Sequence, residues 1–189
     1  MTVLRFGDLK AVPWKNGLGF TREIAVEPAG ATMEDFLWRV SIADVDTASP
    51  FSCFPGIDRT IVLLEGGGFT MMLDGDREHA LTVPLAPFEF PGEARVDVTL
   101  AGGATRDFNL MVRRGMRRGR VDVVHGPVAA TLAKDVVLLH VAHSEAYVDG
   151  QACRQGDSVV CWQGDSAEAP RHLELPYGAT ALVVVIGEA

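Results

Sequence analysis

The sequence predicts a mainly β protein built from two copies of one β-barrel unit. Three observations carry that prediction: short runs of alternating or continuous apolar residues, dense turn signals between them, and one stretch that recurs 75 residues later. Twenty Gly and ten Pro in 189 residues, with few long helix-period stretches, favour many strands joined by many turns. The length is near that at which one hydrophobic core serves a whole protein. The two halves, residues 1–120 and 121–189, are therefore expected to fuse into one structural domain.

Taken in chain order, Trp38-Arg39-Val40-Ser41-Ile42-Ala43 alternates apolar and polar residues, the period of a strand. Thr60-Ile61-Val62-Leu63-Leu64 is a short apolar run rich in β-branched residues, as expected of a strand covered on both faces. Phe69–Leu73 follows as a second strand. Asp107-Phe108-Asn109-Leu110-Met111-Val112-Arg113 alternates again, and Val136–Leu139, Ser144–Val148 and Ala181–Ile186 complete the strand set. Turns are expected at Pro55-Gly56, Asp74-Gly75, Pro91-Gly92, Asp149-Gly150 and Gly164-Asp165. The best helix candidate is the short stretch Pro127–Ala133.

The repeat is visible residue by residue. Val62-Leu63-Leu64 recurs as Val137-Leu138-Leu139, and Asp74-Gly75 recurs as Asp149-Gly150. Asp-Gly favours the type I′ hairpin turn because both central residues need positive φ. A period this long, present twice, points to a duplicated barrel rather than a solenoid.

A net charge of −8 and a pI near 5.0 argue against coating nucleic acid, which needs a basic face. The run Arg113, Arg114, Arg117, Arg118 and Arg120 reads as a solvated linker between the halves, with Arg113 within reach of a cavity. The amino terminus, Met1-Thr2-Val3-Leu4-Arg5-Phe6, lacks an apolar signal core, and no apolar run approaches the roughly 18 residues of a membrane span. A cytoplasmic location without membrane or nucleic-acid partners is expected. Cys53, Cys153 and Cys161 form no CxxC pair and are expected to be buried reduced thiols.

Small β-barrels of the cupin type hold a metal through His-x-His, a Glu shortly after, a Gly beyond it, and a later His. With Gly66 as the glycine, the Glu position falls on Arg59, the two His positions on Ser52 and Phe54, and the last His near Arg95. None of these is a metal ligand. His140 and His143 are three apart, so a strand points them to opposite faces. A guanidinium in place of the metal keeps positive charge in the barrel mouth, and its planar fork suits a carboxylate. The competing reading of Arg59 is a structural ion pair with Asp58, Asp44 or Asp46.

Four blocks sharpen this picture: Pro13-Trp14-Lys15-Asn16-Gly17-Leu18-Gly19-Phe20-Thr21-Arg22-Glu23-Ile24; Trp38–Ala43; Pro50-Phe51-Ser52 with Phe54-Pro55-Gly56 and Asp58-Arg59; and Asp107–Met111 with Arg113-Arg114-Gly115. Over residues 12–115 the chain resembles the HutD/Ves family; beyond about residue 120 it matches only as a generic cupin repeat. The resemblance implies a double cupin (bicupin) fold and, for the HutD branch, regulation of bacterial histidine utilisation by sensing a pathway metabolite. That pathway's intermediates, such as urocanate and formylglutamate, are carboxylates. The family usually runs Asn-Gly-Gly-Gly-Thr-Thr, whereas Leu18 and Phe20 intrude here.

The resulting candidate ligand-binding set is Arg59, Trp14, Lys15, Asn16, Thr21, Glu23, Arg39, Ser52, Phe54, Asn109, Met111 and Arg113. No metal, cofactor or catalytic residue is expected. Trp14-Lys15-Asn16-Gly17 offers an aromatic plate, a cation, an amide and a hinge suited to a loop over a polar ligand. Which face of strand 107–113 points inward is open in the sequence, as it is for Arg39 and Ser41. Three functions stay open. They are a regulatory protein that binds a small carboxylate, a metal-independent enzyme using Glu23, Asp58 or Lys15 as acid or base, and an interaction module without ligand. Oligomeric state is also open, a homodimer among the options.

Overall fold

The structure, a computed structural model, describes residues 1–161 and 171–189; the expected Gly164-Asp165 turn lies outside them. Strand β1 (Thr2–Leu4) leads into a single 3-10 turn at Phe6–Asp8. Then come β2 (Ala11–Pro13), β3 (Gly19–Glu27), β4 (Trp38–Val45), β5 (Ile57–Gly66) and β6 (Phe69–Leu73). After these lie β7 (Arg77–Leu81), β8 (Phe88–Pro91), β9 (Val96–Leu100) and β10 (Thr105–Arg113). The second series is β11 (Arg117–His125), β12 (Val128–Thr131), β13 (Val136–His143), β14 (Glu145–Val148), β15 (Gln151–Arg154), β16 (Ser158–Val160), β17 (His172–Leu175) and β18 (Thr180–Glu188).

Two compact units result, one formed by Lys10–Arg118 and one by Met1–Leu9 with Gly119–Glu188. In the first, a six-stranded sheet ordered β2-β3-β4-β10-β5-β8 accompanies a three-stranded sheet, β7-β6-β9. Ile61 and Leu63 of the larger sheet pack with Phe69, Met71, Leu73 and Val96 of the smaller one, so the core lies between the two sheets. The other unit pairs a five-stranded sheet, β1-β16-β13-β18-β11, with a four-stranded one, β12-β17-β14-β15. Its core includes Leu139, Val141, Val148, Val159, Leu173 and Val183.

The repeat predicted from the sequence is a repeat of connectivity. β5 pairs with β8 and β10 as β13 pairs with β16 and β18; β6 pairs with β7 and β9 as β14 pairs with β15 and β17. β18 begins at Thr180, 75 residues after the Thr105 that opens β10. Asp74 (φ 55°) with Gly75 (φ 83°) and Asp149 (φ 50°) with Gly150 (φ 75°) take the paired positive φ of the type I′ turn.

Several expectations are corrected. Among the described residues neither unit closes its sheets into a barrel; each is an open pair of sheets joined through its apolar core. The expected helix at Pro127–Ala133 is strand β12, paired residue by residue from Val128–Leu175 to Thr131–His172. Cross-strand pairing outweighs the helix preference of two alanines there. The first nine residues do not join the amino-terminal half. β1 pairs with β16, and buried Asp157 bonds the Arg5 guanidinium and accepts from the Phe6 and Arg154 amides, holding the segment in place. The arginine run does span the division between the two units, at Arg118–Gly119, but it is folded: a turn at Gly115 (φ 77°) and then strand β11. Cys153 is buried as expected, whereas Cys53 is exposed.

Candidate functional site

The inward face of the six-stranded sheet is apolar where β5 presents Ile61 and Leu63, and turns polar toward β3. Register fixes the rows. Glu23 lies opposite Ser41, Ser41 opposite Asn109, and Asn109 opposite Ile61; one row further, Arg39 lies opposite Met111 and Met111 opposite Arg59. On the other side of Asn109, Asp107 lies opposite Ala43. Alternation along the strands therefore gathers these residues on one surface.

Above this surface lies a cavity of about 910 Å³. Eleven of the twelve sequence-derived candidates line it: Trp14, Lys15, Asn16, Thr21, Glu23, Arg39, Ser52, Phe54, Arg59, Asn109 and Met111. Arg113 does not. At the end of β10 it turns away, donating from Nε to the Phe36 carbonyl (2.8 Å) and from Nη2 to the Glu34 carbonyl (2.6 Å). Asp58, one of the acid–base candidates, also misses the cavity, and pairs with Arg114 at 2.7 Å. Lys10, Met33, Phe51 and Asp107 complete much of the wall without having been on the candidate set.

Arg59 is 9% exposed. Its guanidinium lies 4.9–5.5 Å from the ring centres of Phe90, Phe51 and Phe54, a three-sided aromatic collar. Nη2 donates to Asn109 Oδ1 at 3.3 Å, and Nε has no partner. The competing reading, an ion pair with Asp58, Asp44 or Asp46, is not seen among the described residues. Asp58 is held by Arg114, and Asp44 by Arg22 and Arg106. Burial, then repulsion from Arg39, pushes the Arg59 pKa down to about 10, so the group stays cationic at neutral pH. A buried cation without an anion is costly, and an anionic ligand would relieve that cost.

Asp107 has the opposite problem. It is 1% exposed, and neither carboxylate oxygen has a hydrogen-bond partner. Burial alone pushes its pKa up to about 8. Between the two groups stands Asn109, whose Oδ1 accepts from Arg59 and whose Nδ2 donates to the Asp107 main-chain carbonyl at 3.4 Å. Arg39 is already committed, donating from Nε to Glu23 (2.8 Å) and from Nη1 to Ser41 Oγ (3.1 Å).

The Trp14 loop forms the rim. The Trp14 amide donates to the Gly19 carbonyl (2.9 Å), the Gly17 amide to the Trp14 carbonyl (3.0 Å), and the indole Nε1 to Thr21 Oγ1 (2.7 Å). Gly19 is obligatory: a β-carbon there would strike the Asp44 carbonyl and lie 3.0 Å from the Trp14 ring. Leu18 and Phe20 do not line the cavity, and Phe20 points outward, 39% exposed. Neither side chain therefore forms part of the cavity wall.

Of the four positions that the sequence aligned with a cupin metal motif, Ser52, Phe54 and Arg59 line the cavity, while Arg95 is exposed beside Asp97 (3.3 Å). Among the described residues no cluster of three or more His, Cys, Asp or Glu is placed to hold a metal ion. His140 is buried against Ser158 Oγ (2.9 Å), and His143 is exposed. No helix among the described residues is long and apolar enough to cross a membrane.

Residues 7–177 match the HutD family model. The chain belongs to the HutD family. A 21.2 kDa protein of the hutC 3' region of Pseudomonas putida is 38% identical over 148 residues, 78% of this chain and 77% of that protein. Protein Ves of Citrobacter koseri is 34% identical over 164 residues, covering 84% and 83% of the two chains. The solved structure of HutD from Pseudomonas fluorescens SBW25 superposes at a TM-score of 0.85 with 30% identity, covering 100% of this chain and 98% of that one. A cupin 2 conserved barrel domain protein from Leptotrichia buccalis, 10% identical at a TM-score of 0.61 (98% and 96% covered), shares the fold alone. The fold is thus that of cupin proteins, and one relative comes from a hutC 3' region.

Proposed function

We propose that this protein binds a small carboxylate metabolite in the cavity, without a metal, and regulates histidine utilisation by sensing it. The observation that carries this reading is Arg59, a cation buried at the cavity wall within an aromatic collar, with no carboxylate of the protein in reach among the described residues. A ligand carboxylate would accept from the guanidinium and remove the cost of its isolation. The kinship with HutD proteins and with a protein of a hutC region supports a histidine-degradation intermediate as that ligand.

Native mass spectrometry of the purified protein, with metal analysis of the same sample, tests the reading. A retained small carboxylate without stoichiometric metal is the expected result; a stoichiometric transition metal with an empty carboxylate site would overturn it. A metal-independent enzyme is a second reading, favoured by Asp107, since a neutral buried carboxyl lining a cavity is equipped to act as a general acid. Turnover of urocanate or formylglutamate that disappears in Asp107→Asn would put this second reading first.

A further inference from the structure

Arg59 and Asp107, a base and an acid, share one cavity wall and make no bond to each other. Asn109 stands between them on β10 and engages both, taking the Arg59 Nη2 hydrogen and donating to the Asp107 backbone. Arg59 lies opposite Met111, four residues along β10 from Asp107, and neither group figures among the charges that shift the other, so the two heads are well separated along one wall with Asn109 between them. Each end has an unmet demand: Nε of Arg59 lacks an acceptor, and both oxygens of Asp107 lack a donor.

The arithmetic of hydrogen bonding selects the ligand for the second end. A neutral carboxyl offered an acceptor satisfies one oxygen and leaves the other unmet. A cationic nitrogen bearing several N–H bonds serves both oxygens and supplies the charge that lets the carboxyl ionise. We infer that the site takes a zwitterion, its carboxylate on Arg59 and its protonated nitrogen, several bonds away, on Asp107. This rests on the carboxylate-binding reading above and specifies the class of ligand. Asp107 is neutral when the cavity is empty at pH 7, because its pKa lies near 8. Binding of the cation therefore expels a proton. The other charged groups around the cavity are Lys10, Lys15 and the Glu23–Arg39 pair; Asp44, next on β4, points to the opposite face and pairs there with Arg22 and Arg106.

The test is calorimetric titration at pH 7, in two buffers of different ionisation enthalpy, with four probes of matched length: γ-aminobutyrate, butyrate, succinate and butylamine. γ-Aminobutyrate is expected to bind roughly tenfold or more tightly than butyrate and to release up to roughly 0.9 proton, the fraction held by a group of pKa about 8. In Asp107→Asn, an isosteric change that removes a buried acid, the proton release and the preference vanish while butyrate binding persists. Equal affinity for butyrate and γ-aminobutyrate without proton release, but still lost in Arg59→Gln, would overturn the zwitterion and leave the carboxylate reading standing. Failure of every probe to bind would overturn both.

Discussion

Replacing Asp107 with Asn is expected to change how folding stability depends on pH. The carboxyl titrates near 3.8 in a solvated chain and at about 8 in the folded protein, because burial without a donor disfavours its charged form. Between those values the native state holds a proton that the unfolded chain has released. Its contribution is therefore fully present below about pH 4 and is lost as pH rises through about 8. One pH unit inside the window is worth at most about 1.4 kcal/mol, so from pH 5 to pH 7 the ceiling is about 3 kcal/mol. Asn keeps the shape and has no proton to lose. The variant should thus gain on the wild type by about 1.5–3 kcal/mol between pH 5 and pH 7. Urea unfolding at pH 5, 6, 7 and 8 measures the difference, read by intrinsic tryptophan fluorescence, to which Trp14 and Trp38 of the unit holding the cavity contribute. A variant-minus-wild-type stability that stays constant from pH 5 to pH 7 would refute the burial argument, as would one that falls as pH rises.

Two further outcomes follow from the rim and one from the wall. Thr21→Val removes the acceptor of the Trp14 indole at 2.7 Å. It should cost about 1 kcal/mol and shift Trp14 emission, whereas unchanged emission would show the bond to be immaterial. Gly19→Ala drives a methyl into the Asp44 carbonyl and the Trp14 ring; a loss of about 2–3 kcal/mol and weakened ligand binding are expected, against a fully wild-type melt if the loop yields. Asn109→Ala frees the Arg59 head from its 3.3 Å bond and should speed ligand release several-fold, measurable by stopped-flow, with little effect if Arg59 is held by its aromatic collar alone.

The duplication was legible because a type I′ turn demands particular residues, and Asp-Gly marks it at both 74–75 and 149–150. Arg59 stood out in the sequence because a cation aligned with an expected metal-ligand position is chemically odd, and the structure places it on the cavity wall. The orientation of β10 was not. Phe108, Leu110 and Val112 are buried on one face while Asp107, Asn109 and Met111 are buried on the other. Alternation separates the two faces of such a strand and cannot say which borders a cavity. Asn109 and Met111 were on the candidate set while Asp107, on the same face, was not, because its isolation from any donor depends on how distant strands pack around it. Arg113 entered the set because its departure depends on the distant Glu34 and Phe36 carbonyls. β1 was missed on similar grounds: three residues whose partners, Ser158–Val160, lie far along the chain leave no local pattern.

The most direct test of carboxylate recognition is the affinity of the wild type and of Arg59→Gln for urocanate and formylglutamate, measured by calorimetry on samples with matched melting profiles. The lost charge-assisted bonds are worth about 1.5–3 kcal/mol, so the dissociation constant of whichever intermediate binds should rise by roughly tenfold or more. Equal affinity in the two proteins would contradict the assignment of Arg59 as the carboxylate anchor.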